Sequence, residues 1–215
     1  MSELEELYRE VANCTACDLH KSRTHPVPGE GPEDAKIMFI GEGPGYNEDQ
    51  QGRPFVGPSG RLLEKWLALI NLTRDEVYIA NVIKCRPPNN RDPLASEVGA
   101  CRPFLDRQIE LIDPRLIATL GRHSMERYFP RARITKVHGR ARREGSRVYL
   151  PLFHPAYILR NARAAEAAEA DFKKIPRLLE RLYEVLAEEA RAGSPAETQG
   201  MAPPVEEEPK QLRMF

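Results

Sequence analysis

Four short apolar or β-branched runs punctuate the chain: KIMFIG (Lys36–Gly41), VYIANV (Val77–Val82), RLIATLG (Arg115–Gly121) and SRVYLPLF (Ser146–Phe153). Their lengths and side-chain types predict strands. Between them apolar positions recur at helical spacing: GRLLEKWLALIN from Gly60, SEVGACRPFLDRQIELI from Ser96, a short stretch from Arg122, and a long one from about Ala164 to Ala190. Ser59 and Ser96 are suited to cap the first two, because a serine hydroxyl accepts from the free amides of a helix's first turn. Pro103 lies inside the second, where its missing N–H predicts a start or a kink. The N-terminal MSELEELYREV is acidic and amphipathic, as in a surface helix and unlike a signal peptide. Alternation of strand and helix predicts an α/β protein: a three-layer α/β/α sandwich around a small, mainly parallel, four-stranded sheet.

The pattern stops after Ala190. RAGSPAETQGMAPPVEEEPK is small, polar, proline-rich and acidic, so one folded domain over residues 1–190 and a flexible tail over 191–215 are expected. Net charge is zero, but residues 188–215 hold six acidic and three basic residues, leaving 29 basic against 26 acidic in residues 1–187. That balance says nothing about DNA. The stretch Arg131–Arg147 says more: seven Lys or Arg residues meet one Glu, which suits a phosphate-facing surface or, equally, a solvated charged hairpin. No run has the apolar length of a membrane span. An intracellular, cytoplasmic protein is expected, in which four cysteines act as metal ligands or buried thiols rather than disulfides.

In an open parallel sheet, ligands bind beyond the carboxyl ends of the strands. GEGPGYNED follows the first strand, NVIKCRPPNN leaves the second and HPAYILRN leaves the fourth, so three unusual polar stretches share one rim. GEGPG lacks the spacing of a dinucleotide fingerprint, and no GK[ST] follows it as in a phosphate-binding P-loop. Cys14 and Cys17 form a C-x2-C hook, Cys85 follows the second strand and Cys101 lies on the next helix. Four thiolates suit tetrahedral zinc or a [4Fe-4S] cluster, and their spacing does not choose between them.

Taken in order, CTAC, GEGPGYNEDQQGRPFVGPSGRLL, NVIKCRPPNNR, ACRPFL and HPAYILRN, from Cys14 to Asn161, resemble the family 4, thermostable-type uracil-DNA glycosylases, which carry an iron–sulfur cluster. The resemblance implies a structural [4Fe-4S] cluster on Cys14, Cys17, Cys85 and Cys101. It implies hydrolysis of the bond between uracil and deoxyribose in single- or double-stranded DNA, with the nucleotide flipped into a pocket. Glu42 and the Gly43 backbone would hold the attacking water, and His154, aimed by Pro155, would donate a hydrogen bond to uracil O2 as charge develops there. Phe55 would stack on the base, Asn81 would read its edge, and Glu48 would crowd the position of thymine's methyl group. Asn90 is a secondary base-binding candidate. Leu159 would wedge into the stack and Arg160 would meet a phosphate.

The sequence also departs from the pattern of the family it resembles. RPPNNRDPLASEVGA lacks the histidine-containing insertion of relatives that become covalently trapped, so turnover is expected, and Gly43 stands where many relatives have alanine. The competing readings are a glycosylase for other deaminated bases and an inert, cluster-containing DNA-binding module. The terminal QLRMF, Gln211–Phe215, resembles the short peptides with which bacterial DNA enzymes hold the sliding clamp, which would tether a monomeric, nucleoid-associated prokaryotic enzyme.

Overall fold

A computed structural model describes residues 1–192. Most of the expected tail, and the clamp-binding reading of Gln211–Phe215, lie outside them. The described chain forms α1 (Glu3–Asn13), β1 (Ile37–Gly41), α2 (Tyr46–Gln51), α3 (Pro58–Ala68), β2 (Tyr78–Asn81), α4 (Ala95–Ile112) and β3 (Leu116–Leu120), then α5 (Arg122–Glu126), α6 (Ile134–Val137), β4 (Arg142–Glu144), β5 (Arg147–Leu152), α7 (Pro155–Arg160), α8 (Ala165–Phe172) and α9 (Ile175–Ala192).

The sheet has five strands in the order β2-β1-β3-β5-β4. The four expected from sequence are the parallel ones, and β4 adds an antiparallel edge strand paired to β5. That fifth strand falls inside the basic stretch, where three charged residues carry no strand signal. A turn at Gly145, with φ of +57°, makes the hairpin, so the expected charged hairpin is present. At the opposite edge, Glu30 forms an isolated antiparallel bridge with Ile79, its N–H donating to Ile79 O at 2.9 Å and its carbonyl accepting at 2.7 Å.

Side chains alternate across each strand, so the sheet buries two apolar faces. Ile37, Phe39 and Ile79 pack with Leu63 and Trp66 of α3 and Phe172 of α8. Met38, Ile40 and Ala80 pack on the other side with Leu4 and Leu7 of α1 and Leu105 and Ile109 of α4. The cysteines belong to this second face, with Cys85 and Cys101 buried.

Several helix ends differ from expectation, each for a local reason. α3 starts at Pro58 after Gly57, not at a Ser59 cap, because proline's fixed φ suits the first turn. α4 is capped by its own third residue rather than by Ser96: Leu94 N–H donates to Glu97 Oε2 at 2.8 Å, and Arg91 grips the same carboxylate at 2.6 and 2.9 Å. It also runs unbroken through Pro103. The carbonyl that proline strands belongs to exposed Gly99, around which a Cβ would meet nothing within 4 Å, so that carbonyl lies on the solvent side of the helix, where its lost bond is least costly. The long C-terminal helix is two helices broken at Lys173–Lys174, just before Pro176.

Candidate functional site

The carboxyl ends of β1 and β2 lie side by side, with Gly41 paired to Asn81. Past the strands the pairing continues, since Val82 N–H donates to Gly41 O at 3.0 Å and Ile83 N–H to Glu42 O at 3.1 Å. Asn81 is 2% exposed, and its side-chain carbonyl Oδ1 has no hydrogen-bond partner among the described residues. A buried amide oxygen without a donor is unfavourable, so such an atom marks a place where a ligand is expected. Gly41 makes room for it: a Cβ there would overlap both Asn81 Oδ1 and the ring of Phe55.

Phe55 is 5% exposed and its ring stacks on His154, centroids 5.7 Å apart. It is thus part of the core and also the wall beside Asn81. Its backbone has φ of +51°, which a phenylalanine adopts only under constraint. Part of that constraint is visible. Gly60 lies so close that a Cβ would overlap the Phe55 carbonyl, and Arg74 Nη1 donates to that carbonyl at 3.0 Å. Arg74 is in turn held by Glu30 at 3.0 Å, and Glu30 also takes two bonds from Arg53. Arg53, with Arg74 behind it, brings the Glu30 carboxyl down to about 2 despite burial.

His154 caps the start of α7, its Nδ1 lying 3.0 Å from Ala156 N. A backbone amide can only donate, so Nδ1 accepts and the ring proton is on Nε2. Burial, with Arg160 adding repulsion, pulls the imidazole down to about 4. His154 therefore presents a neutral N–H donor across the ordinary working range.

Glu42 begins the loop after β1. Burial raises its carboxyl above the ordinary glutamate range, opposed by nearby His123, assisted by Asp92 and again opposed by Arg122. His123 Nε2 lies 3.6 Å from both Glu42 Oε2 and Asp92 Oδ2, and Arg122 pairs with Asp92. Sequence reasoning missed His123 and Asp92. The signal was available for His123, because it follows β3 directly and so belongs to the same rim as the other strand ends.

Two further candidate residues make contacts of their own. Glu48 Oε1 accepts from Val56 N at 3.0 Å and Gly57 N at 2.8 Å, while Oε2 accepts from Gly45 N at 3.1 Å. It ties the GEGPG loop to the segment carrying Phe55, and its carboxylate is spent on the backbone. Asn90 is exposed, and its Oδ1 accepts from Arg86 Nε at 2.7 Å, so nothing joins it to Asn81. Leu159, 52% exposed, and Arg160 project from α7 beside the rim.

All four cysteines are free thiols lining one pocket between the end of α1, the exit of β2 and α4. Donors point at three of the sulfurs: Arg23 Nη1 at 3.2 Å from Cys85, Lys84 N at 3.2 Å from Cys101 and Ala16 N at 3.5 Å from Cys14. Four cysteines facing one pocket, two of them buried, are a donor set for tetrahedral zinc or an iron–sulfur centre. A buried polar chain runs from this cage to the pocket. Lys84 Nζ donates to Asn81 O at 2.9 Å and to Gln108 Oε1 at 2.6 Å, and Gln108 Nε2 reaches Tyr78 OH, itself 2.6 Å from Tyr8 OH on α1.

The parallel-sheet rim thus carries a carboxylate, an unpaired amide, an aromatic wall and a neutral imidazole. The model of the Uracil DNA glycosylase superfamily matches residues 28–180. The chain is 48% identical over 188 residues to a type-4 uracil-DNA glycosylase of Sulfurisphaera tokodaii, covering 83% of this chain and 86% of that one. It is 46% identical to the type-4 enzyme of Archaeoglobus fulgidus, with 83% and 94% covered, and 48% identical over 163 residues to that of Thermotoga maritima, with 74% and 85% covered. The chain belongs to the type-4 uracil-DNA glycosylase family.

Proposed function

We propose that this protein removes uracil from DNA by hydrolysing its N-glycosidic bond, leaving an abasic site. The observation that carries the reading is Asn81 Oδ1, buried and unpaired beside the Phe55–His154 stack. Uracil offers N3–H to that oxygen and O4 to the amide NH2, whereas cytosine has a bare N3 and an amino group in those places. Reaching the bond requires extruding the nucleotide, at a cost of a few kcal/mol that is least for mispaired or single-stranded uracil. Phe55 would cover the face of the base, and the Glu48-braced loop would close the pocket around it.

As the bond breaks, positive charge grows on the sugar and negative charge on the base. His154 Nε2–H donates to O2 and stabilises the negative charge that develops there, its proton staying on the imidazole. The Glu42 carboxylate faces the sugar, stabilises it and takes the proton of the attacking water, which the Gly43 amide helps to position. The oxygen bonds to C1′, the glycosidic pair leaves with uracil, and the water proton remains on Glu42 until it passes to solvent.

Cys14, Cys17, Cys85 and Cys101 would hold a [4Fe-4S] cluster, supported by their convergence on one pocket and the N–H donors around them. When bound, the cluster would supply a cross-link among α1, the exit of β2 and α4; glycosidic hydrolysis itself is redox-neutral. Matched oligonucleotides holding one U, T, C or hypoxanthine, single- and double-stranded, followed by alkaline cleavage, test the reading. Strand breaks with U alone are expected. Cleavage of hypoxanthine would broaden the substrate class, and no cleavage by protein with its iron in place would overturn the reading.

A further inference from the structure

The seven cations between Arg131 and Arg147 divide into two groups. On the β4–β5 hairpin, Arg143 makes paired bonds of 2.8 and 2.6 Å to Glu189, Arg147 binds Asp113 at 2.7 Å, and Arg142 faces Glu144 at 3.4 Å while covering the Phe129 ring. These three are spent inside the protein. Arg131, Arg133, Lys136 and Arg140 are exposed, and among the described residues none has an acidic partner. They flank or occupy α6.

That basic segment is anchored at the rim. Gly139 N–H donates to Pro151 O at 2.7 Å, and the His138 ring lies 4.2 Å from Phe153, with its Nδ1 2.5 Å from Asp171 Oδ2. Phe153 precedes His154 and stacks in turn on Tyr157 of α7, at 5.2 Å. A ladder of three rings thus joins α6 to α7, where exposed Leu159 and Arg160 project and Arg163 follows. Neither of these arginines has an acidic partner among the described residues. Six like charges at one end of a sheet repel one another, a cost that a polyanion reverses.

We infer that Arg131, Arg133, Lys136 and Arg140, together with Arg160 and Arg163, form the surface that grips the DNA sugar–phosphate backbone beside the extruded nucleotide. The inference rests on the glycosylase reading, but it concerns grip and not chemistry. Phosphate contacts set position and salt dependence and carry no base information. The α6 segment therefore extends the footprint past the pocket, along one side of α7.

The test is binding of a labelled duplex without uracil, measured by anisotropy between about 50 and 200 mM salt. The triple variant Arg133→Ala, Lys136→Ala, Arg140→Ala should flatten the slope of log affinity against log salt by about 2 to 3, near one unit per lost phosphate contact. On uracil-containing DNA the loss should fall in KM and not in kcat. A second variant, Arg102→Ala with Arg107→Ala, removes charge from α4 on the other face and should leave the slope alone. An unchanged slope in the triple variant, an equal change in the α4 variant, or a loss confined to kcat would overturn the inference. Uracil-free DNA keeps the two readings separable, because failure of excision in the unsubstituted protein would sink the glycosylase reading while grip stayed measurable.

Discussion

The base pocket and the cysteine cage both begin where the chain leaves β2, yet they treat polar atoms in opposite ways. In the cage, sulfurs are met by the Lys84 and Ala16 amides and the Arg23 guanidinium. In the pocket, Asn81 Oδ1 is left unpaired, Glu42 is pushed above the ordinary carboxylate range and His154 is kept neutral. A site that holds something permanently is satisfied locally by its own chain. A site that must act on a passing molecule keeps its bonds in reserve, and the surrounding fold has to carry the cost.

The comparison is broken most sharply by His154→Ala. Removing one preorganised donor to a developing oxyanion costs about 10²- to 10³-fold in rate, and single-turnover excision should show that loss with the iron absorbance unchanged. A rate within threefold of the unsubstituted protein would remove His154 from the chemistry. The same residue sets an acid limit on stability. Its folded value of about 4 lies below its ordinary 6.5, so the unfolded chain takes up the proton first as pH falls. Its contribution is whole above about pH 6.5 and is lost between there and about pH 4, amounting to ~3 kcal/mol. Urea unfolding across that range should show a shallower decline for His154→Ala than for the unsubstituted protein.

On the cage side, Cys101→Ala should lower Tm by about 5–10 °C, equivalent to roughly 2–3 kcal/mol, and reduce excision with it, because α4 is one wall of the cage. Iron loss with stability and activity intact would show that the cage braces nothing. The smallest expected effect is Glu48→Gln. The amide keeps one acceptor oxygen but turns an N–H toward backbone donors, costing about 1–2 kcal/mol and loosening the Phe55 wall. A rise in KM for uracil-DNA, with cleavage of thymine still undetectable, would confirm bracing as its main work; appearance of thymine cleavage would instead support the methyl-excluding role expected from sequence.

What was legible in the sequence follows from how local each signal is. The four parallel strands are continuous apolar runs because both faces of the sheet are covered, and Glu42, Asn81 and His154 each follow a strand end on one rim, so their grouping is legible from the order of elements alone. Strand β4 was not legible, since Arg142, Arg143 and Glu144 pair only because β5 offers an edge. The α8–α9 break was hidden by unbroken helical periodicity, although Pro176 marked it. At Ser59 and Ser96 a good capping residue lost to a better local partner, Pro58 in one case and Glu97 in the other. The occupations of Glu48 and Asn90 could not be read from residue type, because both depend on which backbone or side chain folds back upon them. Asp92 required the meeting of two loops distant in sequence, whereas His123 could have been found from its place after β3.

The ends of the sheet carry a last consequence. An unpaired strand edge is a template on which another molecule can add itself, one chain after the next. Here one margin is closed by the Glu30–Ile79 bridge, which Gly31 permits because any Cβ there would overlap the Val77 carbonyl. The other margin ends in a three-residue strand of two arginines and a glutamate. Among the described residues, then, a second copy meets a bridged margin on one side and a short charged one on the other, neither of which is a long, flat, apolar border.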